Sequence, residues 1–326
     1  MKRLLVCAVV SVALYVLLFG LVLERPLSLE PLWLEMTQKT ARLASLPSPK
    51  LVILAGSNGP YSHSCAVMGT MLNMPCENAG IAVGIGLDEI FARYAPSLQA
   101  GDVVYMPMEL EQYAMTGAQY RALVDGALLL RHDKAMLLEL PPGRAMGALF
   151  CCTLADGLEA LAEMPLAGLG VRNGANMLAA EYDVEGDRVD NDLAGADKTL
   201  LAGPARVGPS AQEIEEGYGT KLIARFVTQE RAKGVVVIGG WPVDFTDARI
   251  SNGTRAAVRR IYGMDFLSLK GESLYPRIDF FNSEDHLARS CQFKNSIKVA
   301  KGLEKMLAQK VMAPGVKMDV VAEGCP

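Results

Sequence analysis

The sequence predicts an α/β fold: a three-layer α/β/α sandwich with a mainly parallel sheet, carried behind one N-terminal transmembrane helix. Two observations predict the sheet. Apolar strand-like runs alternate with helix-compatible segments, the pattern of parallel strands covered on both faces. Two of those runs, Leu51 to Ala55 and Gly234 to Gly239, end abruptly in turn-forming residues. A third observation predicts the anchor. Lys2 and Arg3 precede an uncharged apolar stretch from Leu4 to Leu23, which as a helix is about 30 Å long and able to cross a bilayer.

The elements follow in chain order. Basic residues before the apolar stretch and Glu24 after it favour a cytoplasmic N-terminus, with Arg25 weakening the asymmetry, so the rest of the chain is expected outside. A cleaved signal peptide is the other reading. The stretch is longer than a usual signal core, however, and no small-x-small site precedes Arg25-Pro26. Residues 1–24 are therefore read as a membrane anchor, 25–49 as a membrane-proximal stalk with some helix, and 50–326 as one domain. That domain is long enough to bury its own core.

Within it, Leu51 to Ala55 reads as a strand, Tyr61 to Leu72 as a helix, and Cys76 to Ala79 as a short strand. Leu87 to Ser97 reads as a helix, Asp102 to Met106 as a strand, and Gly117 to Leu130 as a helix. Later come a strand at Gly234 to Gly239, a helix at Gly253 to Tyr262, a short strand at Arg277 to Phe281, and a final amphipathic helix at Lys294 to Ala308. Residues 133–209 are less regular, with Pro-Pro-Gly at 141–143 and an acidic run from Glu181 to Asp197. An interruption of that length reads as an insertion, either a lid or acceptor-binding element over a site or a surface elaboration.

Composition removes some function classes. The net charge is −4 and aromatics make up 6% of residues, leaving no broad basic surface and no nucleic-acid partner. Cys7 falls inside the apolar stretch, where it reads as a membrane-facing thiol. Cys65, Cys76, Cys151, Cys152, Cys291 and Cys325 are an even number, so disulfides are expected outside the cell. Cys65 with Cys76 is the first pairing to consider and Cys291 with Cys325 the next. Adjacent Cys151 and Cys152 are expected to bond elsewhere or stay reduced. Cysteine and histidine spacing suggests no metal centre, and no cofactor is implied.

One serine and one histidine stand in positions of interest. Gly56-Ser57-Asn58 closes the first strand, at the sheet edge where α/β proteins bind ligands, and the glycine permits a sharp turn. His286 follows the short strand near the C-terminus, in Asp279-Phe-Phe-Asn282-Ser-Glu-Asp285-His286. A serine hydroxyl needs a base, and histidine is the usual one. His63 and His132 read as structural, and Trp241-Pro242 reads equally as cleft wall or as packing. Lys294, Lys298, Lys301 and Lys305 read as one solvated helix face.

The two blocks together resemble the SGNH (GDSL-like) hydrolase superfamily, which has a flavodoxin-like sandwich. More closely, they resemble its exported, membrane-anchored branch, which includes relatives of DltD and the polysaccharide O-acetylation proteins. The resemblance spans roughly Lys50 to Ala308 and implies Ser57 as nucleophile and His286 as base. In that family the acid lies three residues before the histidine, here Ser283. Related exported proteins place it four before, which makes Asn282 the partner by resemblance, with Asp279 and Asp285 as nearby carboxylates. Gly80, after the strand at Cys76, matches the second block, so its N–H and that of Ser57 are the implied oxyanion donors, with Asn58 beside them. Gly101-Asp-Val-Val104 leads to Glu109, where the superfamily often has an asparagine and the exported branch often a glutamate. A carboxylate cannot donate to an oxyanion unless protonated, so Glu109 is expected to organise the site or orient an acceptor.

The resemblance implies a serine esterase or O-acyltransferase of the bacterial inner membrane, single-pass, with its soluble domain in the periplasm or outside the cell. It would act on acyl groups of an envelope or extracellular polysaccharide. The implied partners are an acylated glycan or other ester, polysaccharide-assembly proteins, and the membrane through the N-terminal helix. Hydrolysis and transfer share one acyl-enzyme chemistry and both stay open. A catalytically impaired module that binds polysaccharide or an assembly partner is the alternative.

Overall fold

The computed structural model describes residues 1–19, 29–121, 123, 126–155, 157, 158, 161, 162, 165, 178, 180–271 and 273–311. Its centre is a parallel five-stranded sheet. Strands β1 (Leu51–Ile53), β2 (Cys76–Asn78), β3 (Val103–Met106), β4 (Val236–Gly240) and β6 (Phe266–Leu267) lie in the order β2-β1-β3-β4-β6. Register runs Leu51 against Cys76 on one side and against Val103 on the other, then Val103 against Val236 and Gly239 against Phe266. The order reverses between β1 and β3, and β1 leads directly into the turn at Ser57. Strands β5 (Asp244–Phe245) and β7 (Leu274–Tyr275) pair in parallel beside it.

Strand residues alternate between two apolar cores. Val52, Leu54, Val104, Met106 and Val237 face α2 (Leu29–Ser45), α5 (Leu87–Tyr94), α12 (Tyr218–Ala232) and α13 (Asn252–Tyr262). Leu51, Ile53, Val103, Tyr105 and Ile238 face α4 (Cys65–Leu72) and α14 (Arg289–Val311). Both faces of the sheet are therefore covered, as continuous apolar parallel strands require.

Several expectations are corrected. Within the segment read as a stalk, residues 29–45 form helix α2, which packs on the main core. Helix α2 buries Met36 and Leu43 completely, and the charges that make it look exposed are paired: Lys39 bonds Glu35 at 2.6 Å, with both side chains buried. The apolar stretch from Leu4 to Leu23 is described only in part. Helix α1 covers Lys2–Leu17, and among the described residues no helix is long and apolar enough to cross a membrane. Residues 20–23 of the apolar stretch lie outside the described residues. Cys7 is exposed on α1.

The helix after Ser57 is broken into α3 (Asn58–Ser62) and α4, because Ser64 leaves helical geometry to accept the Val67 N–H and cap α4. The expected helix from Gly117 to Leu130 is likewise two, α7 (Gly117–Arg121) and α8 (Gly126–His132). The expected strand at Arg277 to Phe281 is a 3-10 turn, Arg277–Asp279, followed by one antiparallel bridge between Phe280 and Leu287.

Cys65 and Cys76 form the expected disulfide, joining α4 to β2. Cys151 and Cys152 are bonded to each other, against expectation, where the chain leaves α10 (Pro142–Leu149). Cys291 is a buried thiol, and Cys325 lies outside the described residues.

Candidate active site

Ser57 sits at the N-cap of α3 with φ −65° and ψ −21°, ordinary right-handed geometry. A buried carboxylate holds its turn. Glu109 precedes α6 (Leu110–Ala114), accepting the Gly56 N–H through Oε2 and the Asn58 N–H through Oε1, each at 2.8 Å. Burial pushes the Glu109 carboxyl up to about 7, against the two N–H bonds that favour its ionised form. Gly56 is required here, since a Cβ would lie 2.6 Å from Glu109 Oε1. Gly80 meets the same constraint from behind, as its Cβ would lie 2.6 Å from the Gly56 carbonyl oxygen. The exit of β2 therefore packs directly on the nucleophile turn.

The base arrives on a pinned loop. Ser62, the last residue of α3, donates through Oγ to the Asp285 carbonyl at 2.7 Å and accepts the Leu287 N–H at 3.1 Å. Asn191 donates to the Leu287 carbonyl at 2.8 Å. Between those pins stands His286, half-buried, with Nε2 2.7 Å from Ser57 Oγ and Nδ1 2.6 Å from Asn282 Oδ1. With an amide oxygen as its neighbour, Nδ1 carries the ring proton and donates it, which leaves Nε2 to accept from the serine hydroxyl. Of the three residues considered for that place, Asn282 is the one whose side chain lies against Nδ1. Asp285 turns away to Arg206 at 3.1 Å, and Asp279 is buried facing Cys291.

Asn58 does not face a substrate. It is fully buried, its amide donates to the Pro107 carbonyl at 2.8 Å, and its Oδ1 accepts the Val243 N–H at 3.4 Å. It ties the loops after β1, β3 and β4 together. Trp241 is packing as well, edge-on against Phe266 in the main core. His63 is a core histidine whose burial pushes its pKa down to about 4, and the side chain of His132 lies outside those described.

Two further side chains beside His286 carry no motif. The Tyr61 ring lies flat against the His286 imidazole, with centroids 3.7 Å apart and planes 5° apart, and Arg188 lies over the same tyrosine at 5.0 Å. Tyr61 follows Ser57 by one helical turn, which could have suggested it. Nothing local could have suggested Arg188, which sits 131 residues after Ser57, within the insertion. The His286 pKa is pushed down to about 3, first by burial and then by the Arg188 charge. The imidazole is therefore held neutral, the form that takes a proton.

The chain matches no protein-family model, no curated protein and no solved structure. Geometry alone must carry the chemistry. A hydroxyl bonded to a neutral imidazole, itself oriented from behind, has the geometry that a nucleophile and its base require. Among the described residues no group of three metal-binding side chains is found.

Proposed function

We propose that the protein is a serine-dependent esterase or O-acyltransferase of the SGNH type, with a flavodoxin-like three-layer sandwich. The observation that carries the reading is the continuous chain from Ser57 Oγ through His286 to Asn282. The sheet order supports the fold assignment, because the order reversal beside β1 is where such sheets place their sites.

In the reaction, Ser57 Oγ attacks an ester carbonyl while Nε2 of His286 takes its proton. Backbone N–H groups of Ser57 and Gly80 hold the oxyanion. His286 then returns the proton to the departing alkoxide, leaving an acyl-serine. Water or a sugar hydroxyl, deprotonated by the same imidazole, takes the acyl group. Asn282 orients the ring without adding charge. The aromatic face of Tyr61 stabilises the imidazolium formed in passing, an ordinary cation–π contribution. Glu109 fixes the turn that presents both Ser57 and its N–H.

The substrate class we propose is the acyl ester of an envelope or extracellular polysaccharide, with the chain held at the bacterial inner membrane by its N-terminal apolar helix. Half-exposed Ser57 and exposed Asn282 suit a polymer that lies across the site. The Cys65–Cys76 bond suits an oxidising compartment. The neutral Asn282 also favours a second reading, a module that binds polysaccharide or an assembly partner without turnover.

Labelling by a serine-directed fluorophosphonate, with the modified residue mapped by mass spectrometry, separates the two. Modification at Ser57 that disappears in His286→Ala is expected. A folded protein that stays unmodified would leave the binding module.

A further inference from the structure

The oxyanion donor proposed at Gly80 sits on the most flexible kind of residue. Glycine loses more conformational freedom on ordering than any other residue, yet a donor aimed at a developing charge must be held in place beforehand. A side chain cannot supply that hold, since a Cβ at Gly80 would lie 2.6 Å from the Gly56 carbonyl oxygen and 2.9 Å from the Gly59 Cα. The backbone before Gly80 is fixed by the sheet, where the Ala79 N–H donates to the Ile53 carbonyl at 2.9 Å. Strand β2 has already ended at Asn78.

The hold on the other side comes from α2. Lys39 is only 4% exposed, and its Nζ donates to the Gly80 carbonyl at 2.5 Å. Two neighbours fix where that nitrogen sits. Glu35, one turn earlier on α2, lies 2.6 Å from it, and the nitrogen stands over the Tyr182 ring at 5.1 Å. Arg188 lies over the same ring at 4.9 Å, so the group that faces Tyr61 and the group that faces Gly80 share one aromatic support. Lysine is almost never buried unless it is paired. Here one partner is a carboxylate that balances it and the other is a carbonyl belonging to the site. The N–H groups of Ser57 and Gly80 meanwhile meet no acceptor among the described residues, although the N–H groups on either side of Ser57 both donate to Glu109.

We infer that Lys39 is a positioning residue for the reaction: by holding the Gly80 carbonyl it fixes the backbone that aims the Gly80 N–H at the oxyanion. It acts through the Gly80 backbone, not on the substrate. An N–H bond from a charged donor is shorter and stronger than a neutral one, which suits a single tether on a flexible residue. The inference rests on the serine-hydrolase reading of Ser57 and His286, and it gives α2, which lies outside both sequence blocks, a part in the site.

The test compares three full-length proteins on p-nitrophenyl acetate: wild type, Glu35→Gln, and Glu35→Gln combined with Lys39→Met. Glutamine in place of Glu35 still accepts from Nζ, and neutralising it keeps Lys39→Met from leaving a carboxylate buried and unpaired. Acylation and deacylation both pass through an oxyanion, so kcat should fall whichever step limits. Glu35→Gln is expected to keep kcat within about threefold, and the double variant to lose at least about 10-fold in kcat with KM within about threefold. A role in packing alone would lower Tm and leave kcat at 25 °C, where circular dichroism reports a folded chain. A double variant with kcat within about threefold of wild type overturns the inference. So does a loss already complete in Glu35→Gln, or one that appears in KM alone. Should the double variant not fold, Glu35→Gln with Lys39→Gln, which stays polar but ends one bond short of Nζ, is read by the same criteria. The underlying reading fails separately: a folded wild-type protein with neither ester turnover nor fluorophosphonate modification at Ser57 overturns both.

Discussion

At the scale of single residues, the pairing of Asn282 with His286 raises the question of what a neutral partner costs. An asparagine fixes the tautomer but offers no charge to the imidazolium, so the base is oriented and weakly supported. Asn282→Ala should lower ester turnover by about 10-fold to 100-fold through loss of orientation, whereas Asn282→Asp should raise it. Wild-type kcat/KM on p-nitrophenyl acetate in the alanine variant would remove Asn282 from the site.

The pH dependence follows from the depressed pKa of His286. Labelling of Ser57 needs neutral imidazole, and a group titrating at about 3 stays neutral at pH 5. An imidazole at its ordinary value is only about 3% neutral there. Arg188 contributes to the depression, so removing its charge raises the pKa and brings protonation to higher pH. Arg188→Gln should therefore move the acid limb of the fluorophosphonate rate upward in pH while the plateau rate above pH 8 is nearly kept. An unmoved limb would mean that the guanidinium does not act on His286. Ser57 was legible as a serine in the turn after an apolar strand, and His286 and Asn282 as neighbours in one short sequence block, although the strand expected before that block is a 3-10 turn. Arg188 was not, because only the folded insertion brings it to Tyr61.

At the scale of elements, the site depends on two buried carboxylates that accept backbone N–H groups. Glu109 closes the Ser57 turn, and its position was legible from the run after β3, although its partners were not. In Glu109→Gln the amide must place a donor against the Gly56 or Asn58 N–H, which leaves a buried group unsatisfied at a cost of about 1–3 kcal/mol. Because that group flanks the nucleophile, ester turnover should fall more than stability does. Equal turnover at saturating ester would contradict the assignment.

Asp187 does the same for α4. It accepts from Ser64 Oγ and the Cys65 N–H at 2.8 Å each, from the Ala66 N–H at 3.2 Å, and from the Asn78 amide at 2.9 Å. Its acidic neighbourhood, Glu181 to Asp197, reads in sequence as part of an insertion, a lid or a surface elaboration, yet Asp187 and Asn191 are fully buried. Composition misleads here because the segment meets helix N-termini and loop backbone, where an acidic side chain finds donors rather than water. Asp187→Asn should lower Tm by roughly 3–10 °C, from about 1–3 kcal/mol lost. A Tm within 1 °C of wild type would show that the four bonds are not held in solution.

For the whole molecule, the alternation of strands and helices was enough to find β1 to β4, their parallel direction and the two covered faces; β1, β3 and β4 are short apolar runs, while β2 is Cys-Glu-Asn and was legible from its place between helices. What it missed was strand β6, helix α12 and the burial of α2, whose pair of Glu35 and Lys39 resembles an exposed helix until the partners are seen. The same sheet explains where crosslinking matters. Strand β2 is the edge, held on one side only by β1, and the Cys65–Cys76 bond fastens it to α4 across a separation of 11 residues. Closing a loop of that length removes unfolded-state entropy worth about 3 kcal/mol. The native position of α4 does not depend on the bond alone, because Asp187 caps the helix and Met68 packs with Val299 and Leu303 of α14 on the sheet. Removing the bond with Cys65→Ala and Cys76→Ala together should therefore lower Tm by roughly 5–12 °C. Fluorophosphonate modification of Ser57 at 25 °C should continue at the wild-type rate. Loss of modification while circular dichroism still reports a folded chain would place the disulfide within the machinery of the site; unchanged Tm would mean that the edge strand is held by packing and the acidic cap without it.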